Sequence, residues 1–208
     1  KFYERWVPQI LAAAKSAGVD DFEIFGETWI TEPITQSVYE REWGIPNHLD
    51  FPLYDALGRY AGGLVGGGPV MLRLEDDDYS RTADGRAPTP GTFIGNHDIG
   101  RTATVIKSQS GAEGEELLRR VNLAHSLLYL LRGAPIIYYG DEYGIMGTGG
   151  DKEARQDLFA TQVTSWQTQE RVGSKPIGTG SSFDVTAHPV GEHLRELAHD
   201  GTVALRNG

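Results

Sequence analysis

The chain has 208 residues, 39% of them hydrophobic and 23% charged, an ordinary composition for a folded body with a sizeable core. Its formal net charge of −10, from 29 Asp plus Glu against 19 Lys plus Arg, opposes the counterion release on which nucleic-acid binding relies, and it disfavours anionic membranes as partners. No apolar run approaches the roughly 20 residues of a membrane span. The absence of cysteine excludes disulfide and thiolate chemistry but leaves the compartment open.

Taken in chain order, residues 2–17 place Phe2, Trp6, Val7, Ile10, Leu11 and Ala14 at helical spacing with Gly18 as the stop, so a helix is expected there. The sequence opens at Lys1 inside this helical pattern, without an initiator Met or a leader, and is expected to begin within a fold. Residues 21–26 read as a strand that feeds a loop carrying Glu27 and Trp29. A second extended stretch over 48–53 precedes a short helix over 55–61, and residues 62–69, with five glycines, read as loop. A third strand over 92–95 runs into Asn96-His97-Asp98. It is followed by a long helix over 113–131 with Leu117, Leu118, Val121, Ala124, Leu128 and Leu131 on one stripe and Gly133 as its end. Residues 135–139, Pro-Ile-Ile-Tyr-Tyr, form a continuous apolar run of the kind buried on both faces of a parallel sheet. A long polar segment over 140–175, a glycine- and serine-rich loop over 178–182 and a last helix over 190–205 complete the chain.

Alternating strands and helices predict an α/β fold, a parallel sheet with helices outside it, in one domain over residues 1–208. Four strand-then-helix units make half of a TIM-type (β/α)8 barrel. The chain spends about 52 residues on each unit, against roughly 31 in a barrel of typical length, so long strand-to-helix loops are expected.

In such a barrel the chemistry sits at the C-terminal ends of the strands, and three segments fall there. Glu27 follows a strand end among aromatic residues; partial desolvation there would raise its pKa and let it deliver a proton to a leaving oxygen, the alternative being an ordinary surface carboxylate. Asp98, beside His97, could accept hydrogen bonds from sugar hydroxyls while its charge faces a developing oxocarbenium ion, or could merely cap the following turn. His97 could donate to another hydroxyl, and Arg101 could fix a nearby carboxylate. In the third segment the strand is structural, and Asp141 and Glu142 are expected to organise the rim of a site. Trp29, Tyr139 and Tyr143 offer faces on which a sugar could stack, which by itself would make a binding module without turnover.

Taken together, Phe25-Gly26-Glu27-Thr28-Trp29, Asn96-His97-Asp98 and Tyr138-Tyr139-Gly140-Asp141-Glu142 resemble the fifth-, seventh- and eighth-strand motifs of the α-amylase family of glycoside hydrolases. Leu49-Asp50-Phe51-Pro52-Leu53-Tyr54 is similar to the sixth-strand segment, and Ala204-Leu205-Arg206-Asn207-Gly208 to the stretch before the family's C-terminal β-domain. Arg155 sits where the family often has an arginine near a loop containing glycine and aspartate, although its surroundings depart from the common pattern. The resemblance implies a retaining hydrolase of α-1,4-glucosidic bonds that acts on starch or α-glucan oligosaccharides. Glu27 would be the general acid/base and Asp98 the transition-state stabiliser, with Asn96, His97, Trp29, Arg101 and Tyr139 binding substrate.

The family's nucleophilic aspartate follows the fourth strand, with an arginine two residues before it, and nothing ahead of Glu27 matches that motif. The chain is therefore expected to be the C-terminal half of a catalytic barrel, inactive alone. The alternatives are a catalytically silent half-barrel that forms a homo-oligomer through exposed strand edges, or a transglycosylase or a trehalose- or sucrose-active relative. No metal or other cofactor is expected on these residues; calcium, a family feature, would find its ligands elsewhere in a complete parent. Secretion or a periplasmic location is implied by the resemblance alone.

Overall fold

Helix α1 (Phe2–Ser16) forms where the apolar spacing predicts it, and Gly18 and Val19 close it by donating back to the carbonyls of Lys15 and Ala14. The structure is a computed structural model that describes residues 2–81, 83, 85, 87–158, 163–178, 184 and 186–201. After α1 come β1 (Phe25–Gly26), α2 (Pro33–Arg41), β2 (Asn47–His48), α3 (Phe51–Ala61), α4 (Gly68–Glu75) and β3 (Gly91–Thr92). They are followed by α5 (Thr102–Ser110), α6 (Gly114–Leu130), β4 (Ala134–Pro135), α7 (Thr164–Gln167) and α8 (Pro189–Glu196), with short 3-10 turns over 76–80, 141–143 and 151–154. Among the described residues no helix is long and apolar enough to cross a membrane.

The strands are hydrogen-bonded in sequence order. β1 and β2 are parallel with Phe25 opposite Asn47 and Gly26 opposite His48. Leu49 then bridges in parallel to Gly91, and Ala134 donates to the Pro90 carbonyl at 2.9 Å. Helices fill every connection, which is the βαβ alternation read from the sequence. Each strand is shorter than expected, two residues where four to six were anticipated. The run over 135–139 departs most: Ile136 is 38% and Tyr139 40% exposed, so the chain is not a strand sandwiched between two covered faces. The stretch read as extended over 48–53 turns helical at Phe51 because the Asp50 carboxylate accepts from Leu53 N at 2.9 Å, a side-chain cap that starts α3.

The chain divides into two units, interleaved in sequence: Lys1–Ala56, Gly68–Thr92 and Arg132–Ala134 form the first, and Leu57–Gly67, Phe93–Leu131 and Pro135–Gly208 the second. In the first, Val7, Ile45, Phe51, Leu53, Ala56 and Val70 are buried. Gly133 is required there: its φ is +104°, and a Cβ would come 2.4 Å from the Thr92 methyl and 2.9 Å from the Pro90 carbonyl. Arg132 reaches Asp50 and, at 2.6 Å, Asp77, and it donates to the Arg73 carbonyl at 3.3 Å.

The second unit holds the larger apolar core. Leu117, Val121, Ala124 and Leu128 of α6 are buried, as the sequence stripe predicts, together with Phe93, Ile94, Ile106, Val172, Val190 and Leu194. The last helix covers 189–196 and continues as a π turn over 197–201, while the expected extension to 205 and the match over 204–208 lie outside the described residues, as does most of the loop read over 178–182.

His188 starts α8. Its Nδ1 accepts from Val190 N at 3.3 Å while Nε2 donates to the Val172 carbonyl at 3.0 Å, so both ring nitrogens are committed in the neutral form. Burial, reinforced by the Arg171 charge, lowers its pKa below the usual histidine value. The folded state thus binds the proton less readily than the unfolded chain. Its stabilising contribution is whole above about pH 6.5, the ordinary histidine value, and is lost as pH falls through the lower folded pKa. Urea midpoints at pH 7.5 and 5.5 are expected to separate in the native chain and to converge in His188→Asn, which keeps a capping acceptor without a titrating ring. Equal separation in both would assign the pH dependence to other groups.

Candidate active site

In the first unit the loop after β1 carries Glu27, Thr28 and Trp29. Thr28 is buried and held by α2: Gln36 Nε2 donates to its hydroxyl at 3.3 Å and also to the Leu49 carbonyl at 2.9 Å. Anchoring the central residue leaves its two neighbours outward. Glu27 is exposed, and Trp29 is 57% exposed although its ring stacks on the buried Phe51 with centroids 5.3 Å apart. Glu27 and Trp29 line a cavity of about 530 Å³ together with Tyr3, Trp6, Phe25 and Tyr39. The partial burial expected of Glu27 is not found: the residue is exposed. Beneath the same loop, His48 Nδ1 is bonded to the Glu40 carboxylate and both residues are buried, a pair that the sequence analysis did not single out.

In the second unit the loop after residues 92–95 carries Asn96, His97 and Asp98. The Asn96 side-chain oxygen accepts from Asp98 N at 2.8 Å and Ile99 N at 3.0 Å, which folds the segment into a tight turn and commits that oxygen to the backbone. Arg155 Nη2 donates to the Asp98 Oδ1 at 3.0 Å, and His97 Nε2 lies 3.3 Å from Oδ2, close enough to pair with it when the imidazole is protonated. Arg155 also donates to Asp151 at 2.6 Å and to the His97 carbonyl at 3.2 Å. The spacing of Asp151 and Arg155, four apart, is the sequence signal for the first of these contacts.

Arg101, expected among the substrate-binding residues, is fully buried and so cannot meet a sugar. Its guanidinium donates to the Tyr139 carbonyl and to Gln156 Oε1 at 2.9 Å, approaches Asp141 at 3.5 Å, and lies over the rings of Tyr138 and Tyr139 at 4.7 and 5.1 Å. Gly140 makes room for it: at φ +91° a Cβ would come 2.9 Å from Nη1. Asp141 is buried and accepts from Thr102 Oγ1 at 3.0 Å, and Glu142 caps the turn by accepting from Gly140 N at 2.7 Å, the organising part expected of both. Burial, with a contribution from Tyr139, pushes the Tyr138 phenol up, so it remains a donor to the Ala154 carbonyl at 2.9 Å. Tyr139 keeps its ring partly exposed. Among the described residues no group of three or more His, Asp or Glu side chains is placed to hold a metal ion.

Comparison with known proteins is consistent across sequence and structure. The sequence model of the α-amylase catalytic domain matches residues 2–176. An α-amylase of Streptomyces lividans is 36% identical over 200 residues, which are 95% of this chain and 22% of that protein. A cyclomaltodextrin glucanotransferase of a Bacillus species is 32% identical over 104 residues, 50% of this chain and 13% of its own. Among solved structures, an α-amylase from Malbranchea cinnamomea superposes with a TM-score of 0.64 at 22% identity, covering 97% of this chain and 35% of that one, a likeness of fold with a TIM-barrel protein. The chain thus spans from about an eighth to about a third of the length of these longer relatives.

Proposed function

Because the chain belongs to the α-amylase catalytic-domain family, we propose that it forms the C-terminal half of a (β/α)8 barrel that cleaves α-1,4-glucosidic bonds with retention. In this proposal Glu27 is the general acid/base, protonating the glycosidic oxygen and later activating water, and Asp98 faces the oxocarbenium-like transition state. His97 and Asn96 bind hydroxyls of the reacting sugar, and Trp29 and Tyr139 supply stacking faces. A retaining reaction needs a second carboxylate, the nucleophile, about 5–5.5 Å from the acid/base. That group is contributed from outside these 208 residues. Starch and maltodextrins are the substrates, with transfer to a sugar acceptor as the variant chemistry suggested by the glucanotransferase relative.

The observation that carries this proposal is the Asp98 cluster: a carboxylate held by Arg155 beside His97 in a tight turn, within a family whose relatives act on glucans.

A second possibility, a silent half-barrel that self-associates, is favoured by the exposed aromatic surface of the first unit, where Phe2 is 67% and Phe25 56% exposed. One experiment separates the two. The 208-residue chain and a version joined to the preceding barrel strands of its own protein are sized and incubated with maltoheptaose. The proposal expects reducing sugar from the joined protein and none from the short chain. Turnover by the short chain would overturn the external nucleophile, and an inactive joined protein beside an oligomeric short chain would favour the scaffold.

A further inference from the structure

Among the described residues Arg101 is the largest of the fully buried side chains, and its partners come from two separate stretches of the second unit, residues 138–141 and Gln156. Its Nε donates to Gln156 Oε1 at 2.9 Å, its Nη1 to the Tyr139 carbonyl, and Asp141 balances its charge at 3.5 Å. Gln156 is itself 3% exposed and spends its amide nitrogen on the Glu153 carbonyl and, at 2.8 Å, on Gln169. The next residue back, Arg155, is half-exposed and holds the Asp98 carboxylate and the His97 carbonyl. A buried guanidinium is costly unless its donors and charge are matched; Nη2 has no hydrogen-bond partner among the described residues, so the bonds of Nε and Nη1 carry the group, and the Arg101–Gln156 bond fixes the turn from which Arg155 reaches outward.

We infer that Arg101 is a positioning residue that orients the Asp98 carboxylate by acting through Gln156 and Arg155. It touches no substrate. Its significance rests on Asp98 being a sugar-facing group, as proposed above; the geometry holds independently of that. Arginine is needed because its planar fork serves the Gln156 and Tyr139 oxygens at once, whereas a lysine ammonium at the same place is a point charge on a flexible stem.

The test is the Arg155 Nε–H signal in the full chain labelled with nitrogen-15. In the native chain that N–H donates to the His97 carbonyl, and the inference expects it to exchange more slowly than a free arginine side chain. In Arg101→Lys its exchange should quicken at least about tenfold, toward that of a free arginine side chain. Gln156→Leu, which removes the linking oxygen and leaves Arg101 in place, should do the same and carries the test if the lysine variant does not fold. Leu194→Ala, a core truncation between α6 and α8, serves as the control for general destabilisation and should leave the signal unchanged. A lowered melting temperature in Arg101→Lys or Gln156→Leu with the Arg155 signal intact would reduce Arg101 to a packing role and overturn the inference. Maltoheptaose titration of the native chain and of Asp98→Asn, followed by tyrosine and tryptophan fluorescence, reads the functional proposal separately. If Asp98→Asn does not change sugar binding while the Arg155 result stands, the assignment of Asp98 fails and the positioning device survives.

Discussion

Glu27→Gln is expected to lower kcat on maltoheptaose by roughly 10²–10⁴-fold in the completed barrel, with KM changed far less. The amide has the shape of the acid but neither delivers a proton to the leaving oxygen nor takes one from water. Thr28, locked by Gln36, holds the loop whether or not its neighbour is charged, and Glu27 itself is exposed, so the melting temperature should be unaffected. An aryl glucoside with an acidic phenol as leaving group needs little protonation in its first step, and its bond cleavage should be nearly spared in the variant. A loss under tenfold on maltoheptaose, or an equal loss in the rate of bond cleavage on both substrates, would remove Glu27 from the acid/base role.

Arg132→Met should cost about 3 kcal/mol of stability, near the lower end of what removing one partner from a buried ion pair costs. Arg132 is about a quarter exposed, but Asp50 is 2% exposed and would keep a carboxylate with no cation beside it. Burial works against the charge on Arg132, yet Asp50 and Asp77 together hold its pKa above the normal arginine value; burial also pushes the Asp77 carboxyl up despite the pull of Arg132. The cluster ties the start of α3, the end of α4 and the 3-10 turn after it. Adding Asp50→Asn to the methionine variant should recover part of the loss, since the stranded group is then neutral and its amide oxygen can still cap α3. Urea unfolding of the two single variants and the double variant measures this, and additive losses would show that Arg132 and Asp50 do not act as a pair.

The elements that could be read from sequence are those whose signal is local and repeated. α6 carries five turns' worth of stripe and appears within one residue of its expected ends, and α1 is equally plain. The strands fall in the expected order but are short, and the last three overlap the expected stretches at a single residue each, because their extent depends on how much sheet and cover surrounds them, which the run over 135–139 does not encode. α2, α4 and α5 were missed for different reasons. α2 begins with a glutamate cap, an uncommon choice beside Ser, Thr, Asp or Asn, although Pro33 at its first position was a usable signal. α4 starts inside a glycine-rich stretch, and α5 contains Thr102, Thr104, Val105 and Ile106, whose branched side chains weaken helical propensity.

The candidate site was legible at the level of segments and illegible at the level of burial. Motif and strand-end position singled out Glu27 and Asp98, but the exposure of one and the grip on the other depend on neighbours far away in sequence, such as Arg155. Arginine is among the residues seldom found fully buried, so a reading by residue type assigns Arg101 to the surface. Only its partners over 139–156 reveal why it is inside.

The close approach of Gly140 to the Arg101 guanidinium sets a limit on how this rim could be redesigned. At φ +91° a side chain there is strained, and a methyl group would come 2.9 Å from Nη1, so a substitution must displace the buried guanidinium as well as bear the backbone strain. The partly exposed rings of Tyr139 and Tyr143 stand on either side of that point, so side chains can be exchanged there without touching the guanidinium's backbone partner, and the segment is in this sense a fixed pivot between two replaceable positions.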